Sequence, residues 1–175
     1  MPVTLDPAAL ADELAREAGL GDGPPEAGPG GPGLALAGLA VRVVAVGWAT
    51  VDLDRAWIEL AARTPAAPAV HAVLRDELLG ARGRTLGTSA GGIRSILLEP
   101  ATEGRLAASL AHRGEGPAVL YVAPTVGELS AAVDRLIHGG SRLRAGRTAL
   151  GPGAVVLGVP AAGPQVILVA VPSGR

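Results

Sequence analysis

The chain has 175 residues, a net charge of −1 and a mean hydropathy of +0.39, and 49% of its residues are hydrophobic. Glycine and proline contribute 26 and 15 residues, a share that is typical of low-complexity chains. Disorder requires low hydrophobicity and high net charge, so most of the chain is expected to fold, as one domain or two small repeats. Cysteine is absent, which excludes disulfides, cysteine-based zinc sites and thiol nucleophiles.

The charged and aromatic residues argue against nucleic acid as a partner. All 15 basic residues are arginine, and the only aromatic residues are Trp48, Trp57 and Tyr121. Three aromatic side chains make no stacking platform for bases, and a pI near 6.3 gives no basic footprint for phosphates.

The chain start and its longest apolar stretch predict a cytoplasmic protein without membrane contact. Asp6, Asp12 and Glu13 lie where a secretion signal needs positive charge followed by apolar residues. The apolar stretch 34–51 is interrupted by Arg42 and is rich in strand-forming residues, so it is interpreted as core.

The first element is a short helix over 6–18, followed by a linker. Asp6 can cap the helix, Pro7 suits its first position, and Gly19 can end it. Ten of the 13 residues in 21–33 are glycine or proline, a composition typical of a linker. The predicted division is a helical segment at 1–20, a linker at 21–33 and a folded domain at 34–175.

A repeated pattern follows the linker. Thr50-Val51 matches Thr125-Val126, the helical positions Leu53 and Leu60 match residues 76 positions later, and 95–100 matches 167–172 with an offset of 72. Strands are predicted at 40–51, 93–100 and 117–126, helices at 52–63, 102–113 and 127–140, and two or three further strands up to 172. These elements predict an α+β fold of two βαβββ modules, at about 39–100 and 117–172.

Residues 39–172 resemble the vicinal oxygen chelate superfamily, which includes glyoxalase I, extradiol dioxygenases and bleomycin-resistance proteins. The run LLEPATEGRLAASLAHRGEGPAVLYVAPTVGELSAAVDRLIHGGSRL is similar to the middle of methylmalonyl-CoA epimerases. Those proteins have a strand ending in Leu-Leu-x-Pro, a short helix and a Gly-Glu-Gly turn, which correspond here to 97–100, the helix at 102–113 and 114–116. The resemblance implies that the two modules form one curled mixed sheet, a cup around a cavity. It also implies a homodimer.

The metal ligands that the resemblance implies fall on residues without suitable donor atoms. The four positions are Ala45, Ile96, Tyr121 and Leu168. Aliphatic side chains cannot bind a metal and a neutral phenol is a poor ligand, whereas divalent metals require imidazole or carboxylate in number. The sequence therefore predicts no metal and no cofactor, and it argues against metal-dependent epimerase, glyoxalase or dioxygenase activity.

Strand alternation predicts a mostly apolar cavity face with one cation and one phenol. Arg94 could bind a carboxylate or phosphate, or reach solvent from a strand end; Tyr121 could contact a ligand or be a core tyrosine. The predicted face consists of Ala45, Gly47, Ala49, Arg94, Ile96, Leu98, Tyr121, Ala123, Val166, Leu168 and Ala170. The ligand-binding candidates are Arg94, Tyr121, Ala45, Ile96 and Leu168; no catalytic residue is identified.

The remaining polar residues have structural interpretations. His112 and His138 lie at predicted helix ends, where the dipole favours positive charge, and His71 lies in a stretch without a clear element. Glu99, Glu103 and Glu115 are interpreted as surface or capping groups.

Three functions remain open. The first is a metal-free protein that binds a small molecule, anionic or acyl, between the modules; the scarcity of aromatic residues argues against a flat aromatic antibiotic as this ligand. The second is a metal-free or degenerate isomerase or lyase related to methylmalonyl-CoA epimerase. The third is a dimeric scaffold without ligand.

Overall fold

The structure is a computed structural model, and it describes residues 6–22, 34–62, 73–89, 91–157 and 163–170. The helices in these ranges are α1 (Pro7–Glu17), α2 (Leu53–Ala61), α3 (Arg105–Arg113) and α4 (Leu129–His138). The strands are β1 (Gly21–Asp22), β2 (Leu34–Leu36), β3 (Leu39–Ala49), β4 (Leu74–Asp76), β5 (Ala81–Thr88), β6 (Arg94–Pro100), β7 (Gly116–Pro124), β8 (Arg142–Thr148), β9 (Gly151–Leu157) and β10 (Gln165–Val169).

The main sheet confirms the predicted modules. Its strand order is β4-β5-β6-β3-β7-β10-β9-β8, with β3 and β7 antiparallel at the centre. In each half the first strand is parallel to the last, since β3 pairs with β6 and β7 pairs with β10. Each module therefore consists of a strand, a helix and three further strands, and the strand order of one half of the sheet is the mirror image of the other. The α+β class and the curled mixed sheet are as predicted.

The N-terminal helix packs on this sheet. The Asp6 carboxylate accepts a hydrogen bond from the Ala8 amide at 3.0 Å, which is the predicted cap. Ala11, Leu14 and Ala15 are buried in one cluster with residues of β3 and β7. The side of α1 that faces the sheet is thus part of the core.

The predicted linker is wrong at its first two residues. Gly21 and Asp22 form β1 and pair with Ala35 and Leu34 of β2, because the chain turns back antiparallel beside the start of the sheet. The rest of the predicted linker, 23–33, lies outside the described residues.

The core has three clusters, two on the outer face of the sheet and one on its concave face. One lies on the outer face of the second module, beneath α1 and α4, and includes Leu120 and Leu168. Another lies on the outer face of the first module, where Leu53, Ala56 and Leu60 of α2 meet Leu97. The third occupies the concave face, and its residues decide what the cup can hold. Its buried members are Ala45, Ala49, Leu78, Leu79, Ala81, Ile96, Leu98, Leu106, Ala118, Val119, Tyr121, Val155, Ile167 and Val169.

The two ends of the sheet meet along a line that we call the seam, between β4 with its following turn and β8 with its following turn. The Glu77 amide donates to the Arg147 carbonyl at 2.9 Å. The Ala149 amide donates to a carboxylate oxygen of Asp76 at 3.1 Å. These contacts bring the curled sheet close to closure.

Within the described part of the chain, every helix is too short or too polar to span a membrane.

Candidate site on the concave face and along the seam

The predicted ligand positions of the first and second module meet on the concave face. Ala45 and Tyr121 are direct partners across β3 and β7, and Ile96 belongs to the same cluster. None of the three has exposed surface. The sequence placed these three residues together correctly.

Leu168 lies on the opposite face, so its predicted place in the cavity is wrong. Tyr121 pairs with Ile167, while Leu168 pairs with Val122 and packs in the outer cluster. The corresponding pair in the first module is Ala45 with Arg94, which sets the true offset between the last strands at 73 residues and not 72. One residue of slip exchanges the two faces of a strand.

The slip also moves Val166 to the outer cluster, and the concave face of β10 is carried by Ile167 and Val169. All residues of β10 are buried. Hydrophobicity therefore gives no signal for which residues face inward.

The deep part of the predicted cavity is filled by the chain itself. Leu78 and Leu79, in the turn between β4 and β5, pack in the concave cluster together with Leu106 of α3. Their exposed fractions are 5%, 1% and 0%. Ala45 and Ile96 are therefore core residues in this conformation, and a ligand would meet the concave face nearer its rim.

Tyr121 is held by a carboxylate that the sequence reasoning missed. Its hydroxyl donates to Asp76 at 2.8 Å, and Asp76 also accepts from the amides of Leu79 and Ala149, at 3.0 and 3.1 Å. Burial raises the pKa of Asp76 above its ordinary value, although these donors act in the other direction. Burial beside this carboxylate raises the pKa of Tyr121 well above its usual value. The phenol is thus a neutral donor, and its partner joins both sides of the seam.

The concave donor set does not fit a divalent metal. At the implied positions stand two aliphatic side chains and a phenol already bonded to Asp76, and Leu168 faces away. Within the described ranges, no group of three or more His, Cys, Asp or Glu side chains could hold a metal ion. A single buried carboxylate that already accepts three hydrogen bonds does not make up the set that such an ion needs.

Arg94 begins β6 on the concave side of the sheet, at what we call the rim, and Arg42 lies on the same side of the neighbouring strand β3. Arg94 alternates with Ile96 and Leu98 of the concave cluster. Arg42 pairs with Ala123 and stands between Val41 and Val43, which both belong to the outer cluster, so its side chain lies on the concave side. Both arginines are partly buried.

Neither Arg42 nor Arg94 has an ion pair or side-chain hydrogen bond with any other described residue. Outside the described ranges, Glu26 is the only acidic side chain. The sequence analysis did not identify Arg42 as a site residue, although the valines on either side of it already indicated that its side chain lies on the other face of the strand.

Glu99 and Glu115 act as predicted capping groups. Glu115 accepts from the Thr50 hydroxyl at 2.6 Å and the Val51 amide at 2.8 Å, and it pairs with Arg55. Glu99 accepts from the Leu53 amide at 3.0 Å. Both carboxylates lie at the start of α2, where negative charge is favourable. Glu103 is exposed.

The Glu115 contacts predict a pH dependence of stability. The Thr50 hydroxyl, Arg55 and the Val51 amide lower the pKa of Glu115 from 4.5 to about 2. A carboxyl whose pKa is lower in the folded state stabilises the fold above its unfolded pKa, and this contribution is lost as the pH falls. Glu115→Gln should therefore lower the melting temperature at pH 6, with the difference from wild type shrinking between pH 4.5 and about 2. Thermal denaturation of both proteins across this range measures it, and a constant difference would contradict the assignment.

Two of the three histidines lie at helix ends, as predicted. His112 and His138 lie in the last turns of α3 and α4 and are exposed. A ring nitrogen of His138 lies 2.7 Å from the Asp134 carbonyl. His71 lies outside the described residues.

Two cavities flank β4 beside the seam. One, of about 480 Å³, lies between β4, β5 and the segment after β6. The other, of about 370 Å³, lies between β4 and the β8–β9 turn, so both modules line it. The second is lined by Val73, Leu74, Arg75, Glu77, Arg147, Thr148, Ala149 and Gly151.

Comparison with known proteins gives structural matches only. No family model matches the chain, and no curated protein matches its sequence. Among solved structures, methylmalonyl-CoA epimerase from Mycobacterium tuberculosis is similar at 24% identity and a TM-score of 0.59, over 74% of this chain and 88% of that one. Methylmalonyl-CoA epimerase from Streptomyces coelicolor is similar at 19% identity and a TM-score of 0.56, over 74% of this chain and 98% of that one. A hypothetical protein from Bacillus halodurans is similar at 16% identity and a TM-score of 0.59, over 77% of this chain and 97% of that one.

These matches and the mirrored modules show that the chain has a glyoxalase-like fold. The predicted resemblance is confirmed at the level of the fold, and the structural neighbours include methylmalonyl-CoA epimerases. Because these proteins are less than 25% identical to this chain, the similarity extends to the fold and not to their activity.

Proposed function

We propose that this protein is a metal-independent, small-molecule-binding protein of glyoxalase-like fold, which holds an organic anion at the rim of its concave face. The observation that carries the proposal is the pair Arg42 and Arg94. Both lie on the concave side of neighbouring strands, and both are partly buried without a carboxylate partner among the described residues. A partly buried cation gains most from a bound anion, because its own hydration is already reduced.

The surroundings of the two arginines suit a ligand with an apolar body. Ala45 and Ala123 are the cross-strand neighbours of Arg94 and Arg42, and Val44 packs on the concave cluster beside them. Small side chains leave room next to the guanidinium groups, while the apolar surface can contact a hydrocarbon chain. A carboxylate or acyl compound combines both features.

The donor set at the fold's metal positions supports metal independence. Ala45, Ile96 and a phenol bonded to Asp76 supply no ligand group for a divalent ion. Binding then depends on the arginines and on the apolar surface. Metal analysis of the purified protein tests this part, and a stoichiometric divalent ion would overturn it.

The ligand site is tested with charge-removing variants. Arg94→Gln and Arg42→Gln should each weaken binding of a stabilising carboxylate or CoA thioester by about tenfold, since a hydrogen bond to a charged group contributes roughly 1.5–3 kcal/mol. The ligand panel includes methylmalonyl-CoA, which one similar epimerase structure contains. Thermal shift against ligand concentration finds the ligand and titration calorimetry gives the dissociation constant.

The matched control is Arg16→Gln, an exposed arginine of α1 that lies away from the concave face. It should leave the dissociation constant unchanged. Equal loss in all three variants would remove the assignment to the rim. Turnover of a CoA thioester by metal-free protein would favour the degenerate isomerase, and a complete lack of ligand response would favour the scaffold.

The proposal includes a cytoplasmic location, which the sequence predicts, and a homodimer, which the resemblance implies. Cell fractionation tests the first and sedimentation velocity tests the second.

A further inference from the structure

The geometry points to a second site: the cavity of about 370 Å³ on the seam binds a small oxyanion, a phosphate or carboxylate group, between Arg75 and Arg147. Arg75 belongs to the first module and Arg147 to the second, so a bound anion would join the two halves of the protein. Neither Arg42 nor Arg94 lines this cavity, so the site is separate from the rim site.

The side chain of Arg75 lies on the outer side of the seam. Its neighbours Leu74 and Asp76 point inward, because Leu74 packs on the concave cluster and Asp76 bonds to Tyr121. By alternation Arg75 points outward, where it lines both cavities that flank β4. Arg147 is likewise exposed and lines the cavity from the opposite side of the seam.

The two cations lack compensation within the described part of the chain. No ion pair or side-chain hydrogen bond joins either to another described residue. Arg75 also stands directly opposite Arg82 in the β4–β5 pairing, and Arg82 is the one that binds Glu99. Like charges opposite each other are unfavourable, so an anion near Arg75 relieves repulsion as well as adding contacts.

The other polar groups of the cavity narrow the ligand class. Glu77 lines it and offsets one of the two positive charges, leaving a net positive site. The Thr148 hydroxyl already donates to the Gly151 carbonyl at 2.9 Å and accepts from the Leu150 amide at 3.0 Å. Recognition therefore falls to the guanidinium groups, whose paired donors match phosphate and carboxylate oxygens.

A bound anion would reinforce a weakly bonded part of the sheet. Across the seam the backbone contacts are the Glu77 and Leu78 amides on one carbonyl of Arg147, at 2.9 and 3.4 Å. An anion bridging Arg75 and Arg147 adds a link beside this point. Binding should thus raise the melting temperature in proportion to the logarithm of anion concentration once the site is mostly filled.

The test uses inorganic phosphate and succinate as probes, with sodium chloride at matched ionic strength as the reference. Phosphate or succinate should raise the melting temperature of the wild-type protein above the chloride reference. Arg75→Gln and Arg147→Gln should each raise the dissociation constant, measured by calorimetry, by about tenfold. A stronger response to phosphate would indicate phosphoryl ligands, and a stronger response to succinate would indicate carboxylates.

Two controls separate this site from the others. Arg144→Gln removes an exposed arginine of the same strand β8 that does not line the cavity, and it should bind as wild type does. Arg42→Gln weakens the rim site, so an anion response that remains in this variant and is lost when Arg75→Gln is added belongs to the seam. The inference is overturned if neither probe exceeds the chloride reference, or if Arg75→Gln and Arg147→Gln respond as wild type does.

Discussion

Replacing Asp76 with alanine should lower the free energy of unfolding by about 3 kcal/mol. The change leaves the Tyr121 hydroxyl and the amides of Leu79 and Ala149 without their acceptor, and the site is buried, with Asp76 only 1% exposed. Unpaired buried donors each cost about 1–3 kcal/mol, although local rearrangement and water entry reduce the total. Urea denaturation followed by circular dichroism measures the loss.

Graded variants identify the cause of this loss. Asp76→Asn should cost less than Asp76→Ala, because the amide oxygen can still accept from one side while its NH2 group faces the remaining donors. Tyr121→Phe should cost about 1 kcal/mol, since it removes one donor and leaves the two amides in place. Glu77→Ala, in the exposed neighbouring position, is the matched control and should change stability little. A loss of equal size for Glu77→Ala and Asp76→Ala would show that the carboxylate does not hold the seam.

Leu106→Ala should lower the free energy of unfolding by about 2–5 kcal/mol. Leu106 has no exposed surface and packs from α3 into the concave cluster. Truncation removes its transfer free energy and leaves a void, because neighbouring strands of a closed sheet cannot collapse fully into the space. Chemical denaturation gives the value, and a midpoint shift without a change in slope would show that compactness is kept.

Leu110→Ala is the comparison for Leu106→Ala. Leu110 lies on the same helix and touches the same cluster, but it is only partly buried. Its truncation should therefore cost clearly less. If Leu106→Ala cost no more than Leu110→Ala, the concave face would be more open than the contacts indicate.

The architecture could be predicted because the same order of strand and helix patterns occurs twice in the sequence. The equivalent leucines Leu53 and Leu129 both open a helix directly after the first strand of a module, as their common spacing predicted. The cap at Asp6 was also visible, because capping depends on local residue types. The strand pair β1–β2 was not visible, since Gly21 and Asp22 join a strand only through a partner on the far side of the predicted linker.

The candidate site was harder to predict because it depends on contacts between distant segments. Asp76 lies 45 residues from Tyr121 along the chain, and only closure of the sheet brings them together. The filling of the cup by Leu78 and Leu79 has the same origin, since a turn between strands is ordinarily expected at the surface. In β10 every residue is buried, so nothing in the pattern could correct the slip that misplaced Leu168.

The exposed strand β8 has a consequence for association between molecules. A sheet edge offers amide and carbonyl groups to any other strand, which makes a long apolar edge prone to aggregation. In β8, Arg142, Arg144 and Arg147 are all exposed, and the end of the strand already contacts the turn after β4. A second sheet that approached this edge would have to desolvate or repel three guanidinium groups. The protein should therefore stay dispersed at high concentration, although its net charge is close to zero.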